Sequence, residues 1–390
     1  MSDVHIIGWG HTRFGRHDAI GAERLITDAV SQALAHAEVE ANDIDAIYVG
    51  QMNGGFDPQN FISSLVLQVD AGFRFKPATH LENACASGSA ALYTGADAIE
   101  ARRARRVLVV GVEKMTALPT ADVARVLAGA SYWPEEGGRG LTFPGIFARF
   151  AQAYFAVHGD QSEALAQIAV KNHANGVRNP YAHFRKSLDL AFCRTPSEKN
   201  PVVAPPLKVT DCSAISDGAA ALVLSDADCA RNAPRAVRLV ARIQVNDLLP
   251  MSGRALVAFE GPARAWARAL EAADCTLEDL DFAEVHDCFT IAELMSYDAM
   301  GLAPPGQGAR AIAEGWTTFD GRFPVNPCGG LKAKGHPIGA TGVSMHVMAA
   351  MQLCGEAGDF QLPRANRAGV FNMGGSAVAN YVSILQVVRA

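Results

Sequence analysis

Hydrophobic and polar positions along this chain form the same pattern twice. Residues 31–49 and 267–285 each read as an Ala/Leu-rich helix, an acidic turn and a short apolar strand, and six of their 19 aligned positions are identical. A β-branched segment precedes each copy, and a glycine-rich turn, a helix of small residues and another strand follow it. An element order that occurs twice indicates a duplicated architecture.

The helices of small residues indicate how the halves pack. Residues 87–101, SGSAALYTGADAIEA, and residues 340–353, ATGVSMHVMAAMQL, lack a polar face. Helices that are apolar all round are expected to be buried, and strands that alternate with them predict largely buried sheets. We therefore predict an α/β fold of duplicated mixed-sheet halves in five α-β-α-β-α layers.

A segment of different character separates the two halves. It carries Trp133, a Gly-Gly-Arg-Gly turn at residues 137–140 and the pair Pro205-Pro206, and it reads as an inserted loop domain with a few helices. Insertions on a rigid scaffold often carry substrate contacts. The sequence thus predicts an N-terminal half at 1–115 plus 209–235, a loop domain at 116–208 and a C-terminal half at 236–390.

Composition and charge exclude several classes of function. Hydrophobic residues make up 49% and charged residues 19% of the chain, which is ample for a sizeable core. The net charge of −6 gives no electrostatic reason to expect nucleic acid as a partner. No apolar run approaches the ~20 residues of a membrane helix, and the first residues do not resemble a signal peptide. We expect a soluble cytoplasmic enzyme without membrane insertion.

The eight cysteines are dispersed and form no CxxC pair, which argues against a metal site. Cys85 stands apart because it lies at the mouth of a buried helix, where free N–H groups and the helix dipole favour a thiolate. His336, in the turn that opens the equivalent helix of the second half, would face it by the duplication. Imidazole can take a thiol proton near neutral pH, so a Cys–His pair predicts nucleophilic catalysis.

Two further segments carry candidate chemistry. His286-Asp287-Cys288-Phe289 follows the repeated strand at its carboxyl end, where active residues of such sheets cluster. We interpret His286 as a hydrogen-bond donor, Cys288 as a proton carrier and Asp287 as structural. Asn372-Met373-Gly374-Gly375 is a glycine turn near the C-terminus, and backbone N–H groups of such a turn can form an oxyanion hole.

Together these segments resemble the thiolase family over nearly the whole chain. HDCF at residues 286–289 is the hallmark of the sterol-carrier-protein-2-type branch, and GHP at 335–337 and Cys-x-Ser at 85–87 are also complete. Ordinary thiolases carry a second catalytic cysteine in a late Cys-x-Gly motif, where this chain has Asn372-Met373-Gly374. In the branch with HDCF, the cysteine of that motif takes over the role, which assigns it to Cys288. We expect no lipid-transfer domain after the thiolase unit.

The resemblance implies both a reaction and a set of roles. His336 would deprotonate Cys85, which forms an acyl-enzyme with an acyl-CoA, and Cys288 would move the proton at C2 of the second acyl-CoA. His286 and His336 would polarise its thioester oxygen, and the N–H groups of Cys85 and Gly374 would form a second oxyanion hole. Coenzyme A is expected as a substrate, with no permanently bound cofactor. Basic candidates for its phosphates lie in or beside the loop domain: Arg178, Arg185, Lys186 and Lys208.

Alternatives of other classes remain open at this point. A thiolase-like aldolase would cleave a branched 3-hydroxyacyl-CoA, such as one with a sterol side chain, beside an OB-fold/zinc-ribbon (DUF35-like) partner. The presence of Cys85, Cys288, His286 and His336 together favours thiolase chemistry over this aldolase. A non-catalytic scaffold subunit of an acyltransferase complex would not need four reactive side chains. The resemblance also implies a homodimer, because edge strands of the first half would pair across a two-fold axis.

Overall fold

The computed structural model describes residues 4–390. Its strands are β1 His5–His11, β2 Ala46–Gly50, β3 Ala78–Leu81, β4 Arg106–Glu113, β5 Val202–Ala204, β6 Leu207–Lys208, β7 Gly218–Ser225, β8 Ala236–Asn246, β9 Phe282–Val285, β10 Arg367–Gly374 and β11 Ala379–Arg389. Its helices are α1 Ala22–Ala37, α2 Ile62–Leu65, α3 Ser87–Glu100, α4 Thr120–Ala128, α5 Phe143–His158, α6 Ser162–Arg178, α7 Leu190–Arg194, α8 Ala227–Ala230, α9 Glu260–Ala272, α10 Thr290–Ala299, α11 Gly308–Ala313, α12 Gly330–Lys334 and α13 Ile338–Leu353.

The main sheet contains both predicted halves. In residues 4–390 its nine strands run in the order β3-β2-β4-β7-β1-β8-β11-β10-β9. The pairs β2–β3, β2–β4 and β9–β10 are parallel and the other pairs are antiparallel, so the sheet is mixed. The halves join where β1 pairs with β8 through only two residues of each strand. Two sheets therefore meet along one short ladder.

Helices complete the predicted layers. Helix α1 packs on β1 and β7 outside the first half, and α9 packs on β8 and β11 outside the second. Helices α3 and α13 pack against each other and against strands of both halves, and every residue of α13 is buried. The five-layered α/β architecture is thus confirmed.

The repeated acidic residues have the same structural role in both halves. Asp43 and Asp279 each accept a hydrogen bond from the backbone N–H three residues earlier, at 3.0 and 2.8 Å. Asp45 and Asp281 each accept two backbone N–H bonds where the neighbouring parallel strand begins, β4 beside β2 and β10 beside β9. The identities therefore cap equivalent turns and fix equivalent strand registers.

The two central helices approach each other so closely that glycine is required. A Cβ on Gly88 of α3 would lie 2.8 Å from the carbonyl oxygen of Gly339, and one on Gly342 of α13 would lie 2.3 Å from the backbone nitrogen of Ser89. Both contacts lie near the first turns of the helices. The crossing therefore brings the N-terminal ends of α3 and α13 together, as the duplication predicts.

The segment between the halves contains α4 to α7 and the small β5–β6 ladder. Its helix α6 packs against α10 and α12 of the second half, and the buried Lys171 of α6 pairs with Glu293 of α10. The boundaries given for the three domains stay a prediction. Among residues 4–390, no helix is both long and apolar enough to span a bilayer.

Candidate active site

Cys85 lies two residues before α3, in a turn held by hydrogen bonds. Ala84 takes the left-handed conformation, with a φ of 50°. The Ser87 hydroxyl accepts a bond from the N–H of Asn83 at 2.8 Å and donates one to the Ala84 carbonyl at 2.7 Å. A left-handed alanine is strained and persists only where its surroundings fix it. The turn therefore fixes the position of the thiol.

The environment of the thiol differs from the expectation that the helix stabilises a thiolate. Burial raises the pKa of Cys85 to about 12, although a hydrogen bond from the Gly375 N–H acts in the opposite direction. The buried Glu113 carboxylate raises this pKa further. Loss of hydration thus outweighs the helix terminus, and the resting sulfur is a thiol that needs a base.

His336 supplies an unprotonated nitrogen. Its Nδ1 lies 2.7 Å from Thr341 Oγ1, and this hydroxyl donates its own proton to the Pro337 carbonyl at 3.0 Å. Because a hydroxyl has one proton, Thr341 must accept from His336 Nδ1–H. Nε2 of His336 therefore carries the lone pair, as a base requires. Burial, followed by the charge of Lys334, lowers the pKa of His336 to about 3 and keeps it neutral.

His286 has the opposite tautomer. The side-chain nitrogen of Asn372 contacts Nδ1 of His286 at 2.9 Å and donates to the Cys85 carbonyl at 3.2 Å. The Ser89 hydroxyl donates to Asn372 Oδ1 at 2.7 Å, which fixes the orientation of the amide. Nδ1 of His286 therefore accepts, and its proton resides on Nε2. Among residues 4–390, that buried Nε2 has no hydrogen-bond partner.

The three groups form one cluster. The Cys85 sulfur and an imidazole nitrogen from each of His286 and His336 lie within 4.8 Å of one another, and the two rings meet edge to face at a centroid distance of 5.0 Å. Burial and the neighbouring His336 lower the pKa of His286 well below its usual range. These residue types could also hold a metal ion, and the absence of one stays a prediction. The cluster combines a nucleophile, a base and a free donor.

Cys288 lies beside this cluster. Burial raises the pKa of its thiol well above the usual range, and the neighbouring Cys85 raises it further. The adjacent Asp287 points elsewhere, since it accepts bonds from the backbone N–H groups of Leu331 and Lys332 at 2.6 and 3.1 Å. This carboxylate ties the HDCF segment to the start of α12, as its structural interpretation predicts.

A cavity of 510 Å³ leads to the cluster and is lined by Cys85, Cys288 and His336. Of the four basic candidates for coenzyme A, Lys186 lines this cavity. The Arg178 guanidinium stacks on Phe319 at 4.0 Å, Arg185 donates to the Val177 carbonyl, and the buried Lys208 pairs with Asp211 at 2.9 Å. Three of the candidates are thus engaged elsewhere.

Sequence reasoning missed several residues of the site. Gly374 is in the last ladder pair of β10, and the N–H that reaches the Cys85 sulfur belongs to the next residue, Gly375. The sequence marks Asn372 only as the position where the late cysteine of ordinary thiolases is missing. Lys199 and Lys332 also line the cavity.

Comparisons with known proteins agree with this geometry. Residues 4–228 match the thiolase N-terminal domain, and residues 246–387 match the thiolase C-terminal domain-like family. An acetyl-CoA acetyltransferase of Methanothermobacter thermautotrophicus is 38% identical over 96% of this chain and 97% of its own length. Human sterol carrier protein 2 is 31% identical over 96% of this chain and 70% of its own.

A solved Ltp2–ChsH2(DUF35) aldolase has the same fold, with a TM-score of 0.85 and 21% identity over 100% of this chain and 99% of its own. An acetyl-CoA acetyltransferase of Syntrophomonas wolfei superposes with a TM-score of 0.75 and 19% identity over 99% of each chain. The predicted resemblance is confirmed by the family matches and the curated relatives. The chain belongs to the thiolase family, in its sterol-carrier-protein-2-type branch, and is an acyl-CoA acyltransferase.

Proposed function

We propose that Cys85 carries the acyl group during this reaction and that His336 activates it. In thiolysis, Nε2 of His336 takes the Cys85 proton and the thiolate attacks the C3 carbonyl of a 3-oxoacyl-CoA. The C2–C3 bond then breaks, leaving acyl-Cys85 and the enolate of acetyl-CoA. Coenzyme A then gives its thiol proton to the Cys288 thiolate, which has protonated the enolate, and attacks the acyl-enzyme to release the shortened acyl-CoA. The departing Cys85 sulfur recovers its proton from His336, and Claisen condensation is the same sequence reversed.

Cys288 completes the proton balance. It protonates C2 of the departing enolate in cleavage and removes that proton in condensation. A neutral thiol beside the reacting carbon suits this role, because its raised pKa lies nearer that of a thioester α-carbon. The enolate oxygen would accept from Nε2–H of His286, and from His336 once that ring holds the Cys85 proton.

The acyl-enzyme carbonyl needs donors of its own. We assign this role to the N–H groups of Cys85 and of the glycine turn at Gly374 and Gly375, which would donate to the carbonyl oxygen. Of the two glycines Gly375 is the stronger candidate, because its N–H already bonds to the Cys85 sulfur. Loss of one such donor typically costs ~10²–10³ in turnover. Lys186 and Lys199 line the cavity and are proposed to meet coenzyme A phosphates.

One observation carries this proposal: two buried imidazoles with complementary tautomers flank one thiol. The test is intact-mass analysis and peptide mapping after exposure to a panel of acyl-CoAs. An acyl adduct is expected on Cys85 and not on Cys212, a second thiol in the same cavity. An adduct elsewhere, or none, would overturn the mechanism.

We further propose a homodimer that forms through β3. This strand is the outer edge of the sheet, and Phe75 just before it is 86% exposed. A two-fold axis would pair two β3 edges and cover both phenylalanines. Light scattering on the purified protein should give twice the chain mass, and Phe75→Asp should shift it towards the monomer.

A partner of the DUF35 type is proposed because the Ltp2–ChsH2 aldolase of the same fold contains one. We also propose that the protein is cytoplasmic and acts in lipid metabolism.

The alternative aldolase activity is tested with a branched 3-hydroxyacyl-CoA as substrate. Cleavage of that substrate without formation of acyl-Cys85 would favour the aldolase.

A further inference from the structure

A buried cation faces the cavity that also contains Cys85. Lys332 lines the cavity together with His173 and Cys212, and its side chain is 4% exposed. Much of the remaining lining is apolar, including Leu127, Phe143, Phe184 and Phe289. A charged amine in such a wall is costly unless something accepts its hydrogen bonds.

The protein itself gives this ammonium a single neutral partner. Nδ1 of His173 lies 3.1 Å from the Lys186 carbonyl, which can only accept, so that nitrogen carries the ring proton. Nε2 of His173 therefore accepts from Lys332 Nζ, at 3.4 Å. An ammonium has three N–H donors, and this long bond uses one of them.

The nearest carboxylates are engaged with other donors. Asp211 pairs with Lys208 at 2.9 Å and accepts from the Thr290 hydroxyl, also at 2.9 Å. Asp287 accepts two backbone N–H groups at the start of α12 and the Asn172 amide at 2.7 Å. Within residues 4–390, Lys332 thus has no ion pair, and its buried ammonium is left to bind an anion that enters the cavity.

We propose that Lys332, held by His173, binds a carboxylate at the far end of the acyl group, so that the substrate is an ω-carboxy 3-oxoacyl-CoA. This inference rests on the proposed function for the identity of the thioester. A neutral acyl chain would leave two ammonium donors facing methyl groups, whereas a carboxylate would accept them and neutralise the charge. We place the acyl carbonyl at Cys85 and the carboxylate at Lys332, because both residues line the same cavity.

Binding is measured with Cys85→Ala protein, in which no acyl transfer can occur. Calorimetric titration compares 3-oxoadipyl-CoA with 3-oxohexanoyl-CoA, which has the same chain length and ends in a methyl group, and with coenzyme A alone. We expect the carboxylate to be preferred by roughly 30-fold or more, the range for a buried charge pair. Addition of Lys332→Met should abolish the preference and leave the affinity for 3-oxohexanoyl-CoA unchanged within a few-fold. The control is Lys76→Met, at a lysine that lies outside this cavity and donates to the Asn42 carbonyl, and it should keep the preference.

Two outcomes would overturn the inference. Equal binding of both thioesters by the Cys85→Ala protein would overturn it without the use of any Lys332 variant. The test therefore does not depend on whether the Lys332 variant folds. An equal loss for both thioesters and for coenzyme A would assign Lys332 to a phosphate of the coenzyme. A carboxylate preference without turnover by the wild-type enzyme would instead contradict the proposed function and leave the anion site standing.

Discussion

The side-chain amide of Asn372 donates a hydrogen bond to Nδ1 of His286 over 2.9 Å. Asn372 occupies the position where ordinary thiolases carry their second cysteine, and His286 begins the motif whose cysteine replaces it. The two departures from ordinary thiolases are therefore physically linked. The same residue that lacks a thiol orients the imidazole whose Nε2–H is proposed to bind the enolate oxygen.

Asn372→Ala should uncouple C–C chemistry from acylation. Without the amide, His286 can place its proton on either nitrogen, so the enolate loses a fixed donor. We expect kcat of thiolysis to fall ~10²–10³, while acylation of Cys85 by a simple acyl-CoA, followed by mass spectrometry, changes only a few-fold. Ser383→Ala is the matched control, because Ser383 is a buried polar residue of the neighbouring strand β11 that bonds to His346 and Tyr93. Equal losses in both variants and both steps would indicate general disruption instead.

The Cys85 thiol should show no low-pH plateau of reactivity. Burial raises its pKa to about 12, so the thiol form dominates at neutral pH and the thiolate fraction rises about tenfold per pH unit. Alkylation by iodoacetamide, mapped to Cys85 by peptide mass, should therefore accelerate steadily between about pH 6 and pH 10. A thiolate–imidazolium pair would behave differently, with a rate that levels off below about pH 7.

Asp217 is predicted to be a stabilising residue that titrates in acid. Burial alone would raise its pKa, but bonds from Lys114, Thr116 and the His17 N–H hold that pKa below the usual range. Its contribution is therefore present at neutral pH and is lost as the pH falls through the folded-state value. Asp217→Asn leaves the buried Lys114 unpaired and should cost about 3–5 kcal/mol in urea unfolding.

The control for this loss is Asp18→Asn, since Asp18 forms an exposed ion pair with Arg16. Exposed pairs contribute little, so this variant should unfold as the wild type does. The Asp217 variant should also lose part of the decline in stability that the wild type shows in acid. If the two variants unfolded alike, the buried pair would have no special role.

The fold could be predicted because the duplication repeats physical roles. Asp43 and Asp279 cap equivalent turns, and Gly88 and Gly342 permit the crossing of helices that carry no polar face. The repeated hydrophobic and polar pattern of the sequence reflects such local requirements directly. The short ladder that joins the halves could not be seen, because it involves two residues of β1 and two of β8.

The site could be predicted only in part, because several of its features depend on residues that are far apart in the sequence. Cys85 and His336 stand at helix starts that the repeat superimposes, so their meeting follows from topology. The pKa of Cys85 could not be inferred from the helix alone, since burial by the whole molecule outweighs the local dipole. The roles of Asn372 and Lys332 depend on contacts with residues 86 and 159 positions away, His286 and His173. No local pattern records such contacts.

Cys288→Ala should separate the two halves of the reaction. The variant keeps Cys85, His336 and the glycine turn, so incubation with an acyl-CoA should still give acyl-Cys85 in the intact mass. It lacks the thiol that moves the C2 proton, and condensation or thiolysis should fall ~10²–10⁴, the contribution of a general acid–base. Cys212→Ala is the matched control, because that thiol lines the same cavity and its backbone bridges to Phe289 next to Cys288. The control should turn over normally, and a Cys288→Ala enzyme that condensed at the same rate would remove Cys288 from the mechanism.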